Sequence, residues 1–234
     1  SKNMKFLVIS DIHGDLAYIE KLQAIEPTFD GILFAGDFAR FNEIETGLPA
    51  LNKILQLHDD VYAVLGNCDE PSFIEKLEEK DISVQGSLVF RDGLVFAGSG
   101  GALKFTGTTP NERTDEELIK DLSVAVESQE EQGDGTWPNM IAIVHQPPKD
   151  TACDLITAGI HVGSPLIRNF IQEVKPLAVV TGHIHESKAV DHIGETTIIN
   201  PGSLAEGCYG ILEVSKLQGV WQVTKAELKE LSGN

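Results

Sequence analysis

The chain is poor in cysteine, poor in cations and without any long apolar run. Its three cysteines, Cys68, Cys153 and Cys208, are scattered and show no CxxC spacing. An odd, dispersed set argues against a disulfide framework and for a reducing cytoplasm. Basic residues number 18 against 36 acidic ones, a net charge of −18. Such a surface keeps a protein soluble, repels long polyanions and lacks the basic stripe of a nucleic-acid binder. Small anions are still admitted, because screening confines the repulsion to roughly 8 Å at physiological salt. No apolar stretch approaches the length needed to span a bilayer. Nor does a charged-then-apolar leader open the chain, since Phe6 to Ile9 reads as a strand. A cytoplasmic protein with neither a membrane nor a long nucleic acid as partner is expected, and no pattern specifies an oligomeric state.

The hydrophobic share of 41% over 234 residues is enough for a substantial core. Without an internal repeat or a flexible linker, residues 1–234 read as a single domain. Five short apolar runs recur, and each stops at or just before a metal-type ligand. Phe6 to Ile9 leads to Asp11 and His13, Ile32 to Ala35 to Asp37, and Val61 to Leu65 to Asn67. Ile141 to Val144 leads to His145, and Leu177 to Val180 to His183 and His185. Runs of this length and composition are buried strands, and ligands bind at the carboxyl ends of such strands in open α/β sheets. Two carboxylates, four imidazoles and one carboxamide therefore line one sheet edge. That is too many for one metal ion and suits two.

Helices are expected over Asp15–Glu26, Glu43–Leu57, Ser72–Lys80 and Thr114–Gln132, with another from Ser164-Pro165. Alternation with strands implies a mostly parallel sheet with helices on its faces. Asp92-Gly93 between Leu88–Phe90 and Leu94–Ala97 reads as a hairpin turn. Ser99–Thr109 and Gln146–Pro165 read as loops, and the tail after His185 as β-rich. Two β-rich halves stacked as a sandwich follow.

A mixed N/O ligand set suits Mn, Fe or Zn better than Ca or Mg. One of the two carboxylates can bridge a pair of ions, and two ions about 3.5–4 Å apart are the usual clamp for attack on phosphorus. They would acidify a shared water to hydroxide and neutralise the phosphoryl oxygens.

These residues resemble the signature of the calcineurin-like metallophosphoesterases. Five blocks stand in family order: Asp11-Ile12-His13-Gly14, Gly36-Asp37, Gly66-Asn67-Cys68-Asp69, His145 and Gly182-His183-Ile184-His185. Asn200-Pro201-Gly202-Ser203 is similar to a turn of the smaller bacterial and archaeal members. The resemblance implies an α/β fold, a four-layer α/β/β/α sandwich of two mixed sheets. It implies one metal held by Asp11, His13, Asp37 and His185 and a second by Asp37, Asn67, His145 and His183. Asp37, Asn67, His145 and Asp69 would form the catalytic set. The two divalent ions would be Mn²⁺ first, with Fe, Zn or Ni as alternatives.

Two departures qualify the resemblance. Cys68 stands where many family phosphatases have His, and Gly-Asn-Cys-Asp is similar to the third block of small phosphodiesterases. Arg40 comes one position early for the Asp-Arg pair of the protein Ser/Thr phosphatases, and that Asp is missing, which disfavours a protein phosphatase. Arg40, after the bridging Asp, and His161, on the loop after the fourth block, are candidate substrate contacts. The expectation is a dinuclear metal-dependent phosphodiesterase acting on small phosphate esters by a metal-bridging hydroxide. The alternative within enzymes is a nucleotide or other phosphomonoester phosphatase. A silent interaction scaffold is disfavoured because all seven ligands are present.

Overall fold

The first strand shows how the layers arise. In Lys2–Ile9 (β1), Phe6 and Val8 face one way and Leu7 and Ile9 the other, and all four are buried. Phe6 and Val8 join a core between two sheets, whereas Leu7 and Ile9 join a core roofed by helices. A strand buried on both faces requires a continuous apolar run. Each fully buried large side chain contributes roughly 1.5–3 kcal/mol.

The computed structural model describes residues 2–129 and 133–231. After β1 come α1 (Ala17–Ile25), β2 (Gly31–Phe34), α2 (Gly47–Leu57), β3 (Val61–Ala63), α3 (Ile74–Glu79), β4 (Val89–Arg91) and β5 (Leu94–Ser99). Next are β6 (Ala102–Leu103), β7 (Glu112–Arg113), α4 (Asp115–Lys120), α5 (Ser123–Gln129), β8 (Met140–Val144), α6 (Pro165–Val174) and β9 (Ala178–Val180). The chain closes with β10 (Ala189–Ile193), β11 (Thr196–Asn200), β12 (Cys208–Leu217) and β13 (Val220–Glu230).

One sheet has the order β13-β12-β1-β2-β3, the other β10-β11-β9-β8-β5-β4, and β6 pairs with β7 alone. In the first sheet β1, β2 and β3 run parallel, while β12 and β13 are antiparallel additions. In the second, β5, β8, β9 and β11 run parallel between antiparallel edges β4 and β10. Helices α1, α2 and α3 pack Ile19, Leu22, Leu51, Ile54 and Leu77 on the outer face of the first sheet. Leu118, Ala125, Ile167, Phe170 and Ile171 bring α4, α5 and α6 onto the outer face of the second. This is the α/β/β/α sandwich of two mixed sheets. Five parallel strands, β1, β2, β3, β8 and β9, end just ahead of the five blocks.

Local differences have physical causes. The helix expected over Thr114–Gln132 starts on a Thr114 capping box but breaks into α4 and α5. At the break the amides of Asp121 and Leu122 turn to the carbonyls three residues back, at 3.3 and 3.0 Å. Arg113 holds the Asp121 carboxylate at 2.6 Å, which draws this turn toward β7. The last expected residues, 130–132, lie outside the described ones. The loop Ser99–Thr109 contains β6, and within the β-rich tail the edge strand β13 runs on to Glu230. Its mostly exposed, charged residues hide the strand from an apolar pattern. Asp92 and Gly93 both take left-handed φ, 53° and 90°, as a two-residue hairpin demands.

Candidate metal centre

Four of the expected ligands sit in left-handed backbone: Asp11 at φ 56°, His13 at 48°, Asp37 at 66° and His183 at 69°. Asp and His are among the non-glycine residues that enter this region most readily, yet each such residue costs roughly 1–3 kcal/mol. Sharp turns at strand ends aim these side chains back across the edge. Amides of Ile12 and His13 bond the carbonyl of Asp37 at 3.0 and 3.1 Å, joining the first two blocks. The glycine of the third block is needed for space: a Cβ on Gly66 would lie 2.0 Å from Asp37 Oδ1.

The side chains converge. Asp11 Oδ1 lies 3.0 Å from His185 Nε2 and 3.2 Å from His13 Nε2, and the two ring nitrogens are 3.3 Å apart. Asp37 Oδ2 lies 3.3 Å from His145 Nε2 and 3.6 Å from His13 Nε2. Asn67 Oδ1 is 2.9 Å from His145 Nε2. Among the described residues three overlapping groups, each within 4.8 Å, result: Asp11, His13 and His185; Asp11, Asp37 and His145; His13, Asp37 and Cys68. His183 stands outside these groups and reaches the cluster by its ring, 5.0 Å from that of His145. Its amide donates to Asp11 Oδ2 at 3.1 Å.

The protonation pattern matches a cation site. His145 Nδ1 donates to the carbonyl of Ala35 at 2.6 Å and His13 Nδ1 to that of Ala39 at 3.3 Å. Both rings thus turn Nε2 inward. Burial lowers the affinity of His13 for a second proton, but bonds to Asp11 and Cys68 and the charges of Asp11 and Asp37 outweigh it, lifting it to about 12. His145, likewise desolvated, rises to about 9 under the charge of Asp37. Burial and the charge of His145 push His183 down to about 4. Burial works against ionised Asp11, but bonds to His13 and His185 hold it well below the usual carboxylate range. Two imidazole nitrogens 3.3 Å apart beside a shared carboxylate are a donor set that a divalent ion satisfies.

Other expected residues have different surroundings. Both oxygens of Asp69 are taken by backbone amides: Gly66, Asp37 and Phe38 on Oδ2 and Ala39 on Oδ1, at 2.9 to 3.2 Å. Burial and the charge of Asp37 lift this carboxyl to about 7. Asp69 therefore braces the second block against the third. Arg40 is exposed and pairs with Glu43 at 3.1 Å. His161 bonds the buried Asp154 at 2.6 Å.

Several contributors escaped the sequence reading. Cys68, read there only as a departure, is buried with its sulfur among ligand atoms, and burial pushes its thiol up to about 11. Thr109 Oγ1 accepts from Asn67 Nδ2 at 3.2 Å, and Asn111 bonds the backbone of Gly66 and Asn67. No local signal marks either residue. Asn200 and Ser203 carried a signal, in the Asn-Pro-Gly-Ser turn. Asn200 Nδ2 bonds the carbonyls of Ile184 and Ser187, and Ser203 Oγ bonds that of Asp11.

Comparison with known proteins agrees with this geometry. Residues 4–187 match the calcineurin-like phosphoesterase family. The uncharacterized protein MJ1162 of Methanocaldococcus jannaschii is 31% identical over 206 residues, covering 86% of this chain and 88% of that protein. The structure of TT1561 from Thermus thermophilus superposes with a TM-score of 0.68 at 18% identity, covering 98% of this chain and 99% of that one. A dimetal phosphatase from Danio rerio superposes at 0.57 with 12% identity, covering 98% and 99%. Both structures speak to the fold. Family match, fold and convergent ligands lead to one conclusion: the chain belongs to the calcineurin-like phosphoesterases, metal-dependent hydrolases of phosphoric ester bonds.

Proposed function

We propose that this chain is a dinuclear phosphodiesterase acting on small substrates. The observation that carries the reading is the convergence of ligand atoms from five strand ends around Asp37. One ion would be held by Asp11, His13, Asp37 and His185, the other by Asp37, Asn67, His145 and His183. Mn²⁺ is the first choice, and Fe, Zn or Ni fit the same donors. When bound, the pair would acidify the attacking water and offset charge on the phosphoryl oxygens.

The chain's own groups set up this chemistry. The amide of Cys68 donates to Asp37 Oδ1 at 2.8 Å, which fixes the carboxylate and leaves Oδ2 between His13 and His145. Thr109 orients the Asn67 amide. Asp69 locks the turn that carries Asp37. Preference for diesters rests on the third block, whose Gly66-Asn67-Cys68-Asp69 is similar to that of small phosphodiesterases where many family phosphatases carry His. The surface charge of −18 supports a small substrate over a long nucleic acid. Three free cysteines support a cytoplasmic setting.

Turnover of bis-p-nitrophenyl phosphate and p-nitrophenyl phosphate is compared for Mn²⁺-loaded and metal-stripped protein. Metal-dependent cleavage favouring the diester is expected. Preference for the monoester would replace the reading with a phosphomonoesterase. Equal turnover after stripping would remove the metal assignment.

A further inference from the structure

The loop between β8 and α6 holds a second histidine–carboxylate pair, outside the metal cluster. Asp154 is fully buried and accepts from the amides of Asp150, Thr151 and Gly163 at 2.9, 3.0 and 2.9 Å. Its fourth partner is His161 Nδ1, at 2.6 Å. The imidazole is 37% exposed, and its Nε2 has no hydrogen-bond partner among the described residues. A buried carboxylate thus fixes the ring, keeps a proton on Nδ1 and leaves Nε2 turned away from Asp154.

The loop is pinned to both sides of the metal centre. Gln146, directly after His145, donates to the carbonyl of Val162 at 3.1 Å. Ser187 Oγ bonds the carbonyl of Leu155, and Glu186, directly after His185, accepts from Thr157 at 2.9 and 2.7 Å. Leu155 pairs with His161 across the loop. The loop residues around His161 are therefore tied to the segments that leave His145 and His185. The third block supplies no imidazole: Gly66-Asn67-Cys68-Asp69 contains no His, and its Cys68 is buried within the ligand cluster.

We propose that His161, oriented by Asp154, is the general acid that protonates the leaving-group oxygen. The inference rests on the phosphoesterase reading above. Water oxygen bonds to phosphorus as the P–O bond to the leaving group breaks. The electron pair stays on the leaving oxygen, which takes the proton from Nε2. The water's surplus proton goes to solvent, and solvent reprotonates the ring. The charged groups around His161 are Asp154, Asp150 and Lys149, with Glu186 on the neighbouring turn. The bond from Asp154 outweighs the slight desolvation and raises the ring's proton affinity, which supports a charged donor near neutral pH.

The test varies the leaving group. Wild type and His161→Ala, both Mn²⁺-loaded, are assayed on methyl phenyl and methyl p-nitrophenyl phosphate, and on phenyl and p-nitrophenyl phosphate. General-acid loss should lower kcat by about 100-fold with phenol leaving and by less than about threefold with p-nitrophenol. The basic limb of the pH profile with phenol leaving should also vanish. His161→Gln, which can still bond Asp154, should behave like the alanine variant. Equal losses for both leaving groups, a change confined to KM, or no change would overturn the proposal. Preference for the monoester series would overturn only the diester reading, because leaving groups are compared within each series. Metal content and Tm of the variants should match wild type.

Discussion

Asp37 concentrates the demands of this fold in one residue. Its φ of 66° suits Asp or Asn far better than a β-branched or apolar residue. Its Oδ1 is fixed by an amide and its Oδ2 faces two imidazoles. Asp37→Asn keeps the backbone preference and removes the charge, so it isolates the proposed bridging role. Loss of at least about 1000-fold in kcat, roughly 4 kcal/mol of barrier, is expected with Tm nearly unchanged. Wild-type turnover at full metal loading would refute the bridge. Gly66 makes the complementary test. Alanine there would set a Cβ 2.0 Å from Asp37 Oδ1, and overpacking of this kind costs roughly 1–3 kcal/mol. Thermal unfolding of Gly66→Ala should shift down and its bound metal should fall below that of wild type. An unchanged Tm and metal content would show that the turn yields more easily than its contacts imply.

At the scale of elements, the central strands were legible because burial on both faces forces a continuous apolar run, and the candidate ligands because each follows such a run. The Thr114–Gln132 helix was misread because its break depends on Arg113 reaching Asp121, a tertiary contact that periodicity cannot show. The same limit hid the order within the loop between β6 and β7, although the loop itself was legible. Glu112 organises it, accepting from the amides of Phe105, Gly107 and Thr109 and from the Thr109 hydroxyl at 2.7 to 3.0 Å. Slight desolvation opposes these bonds, but they prevail and hold the Glu112 carboxyl down to about 2. A depressed carboxylate contributes stability that is complete above its unfolded pKa, about 4.3, and is lost as pH falls through the folded value. The amide resonances of Phe105, Gly107 and Thr109 should therefore titrate together with a midpoint near 2. Glu112→Ala should abolish that transition and speed amide exchange across the loop. Separate midpoints near the ordinary glutamate value would show that the carboxylate does not order it. Because Thr109 also holds Asn67, the variant should raise KM as well.

The whole molecule sets two fields against each other at the site. Far from the surface an anionic substrate meets a net charge of −18. Close to Asp11 and Asp37, two divalent ions would reverse that sign over a few ångströms. Screening separates the two ranges, since the Debye length falls from about 30 Å at 0.01 M salt to about 8 Å at 0.15 M. Over that interval the long-range repulsion should fade while the short-range attraction within the buried cluster persists. For a monoanionic diester, kcat/KM should therefore rise several-fold between these salt concentrations, with kcat nearly constant because the bound state is screened least. A phosphomonoester of higher charge should show a steeper rise. If kcat/KM instead falls with added salt, the metal cluster's field, not the acidic surface, governs capture. The acidic composition would then bear on solubility and not on the choice between small and polymeric substrates.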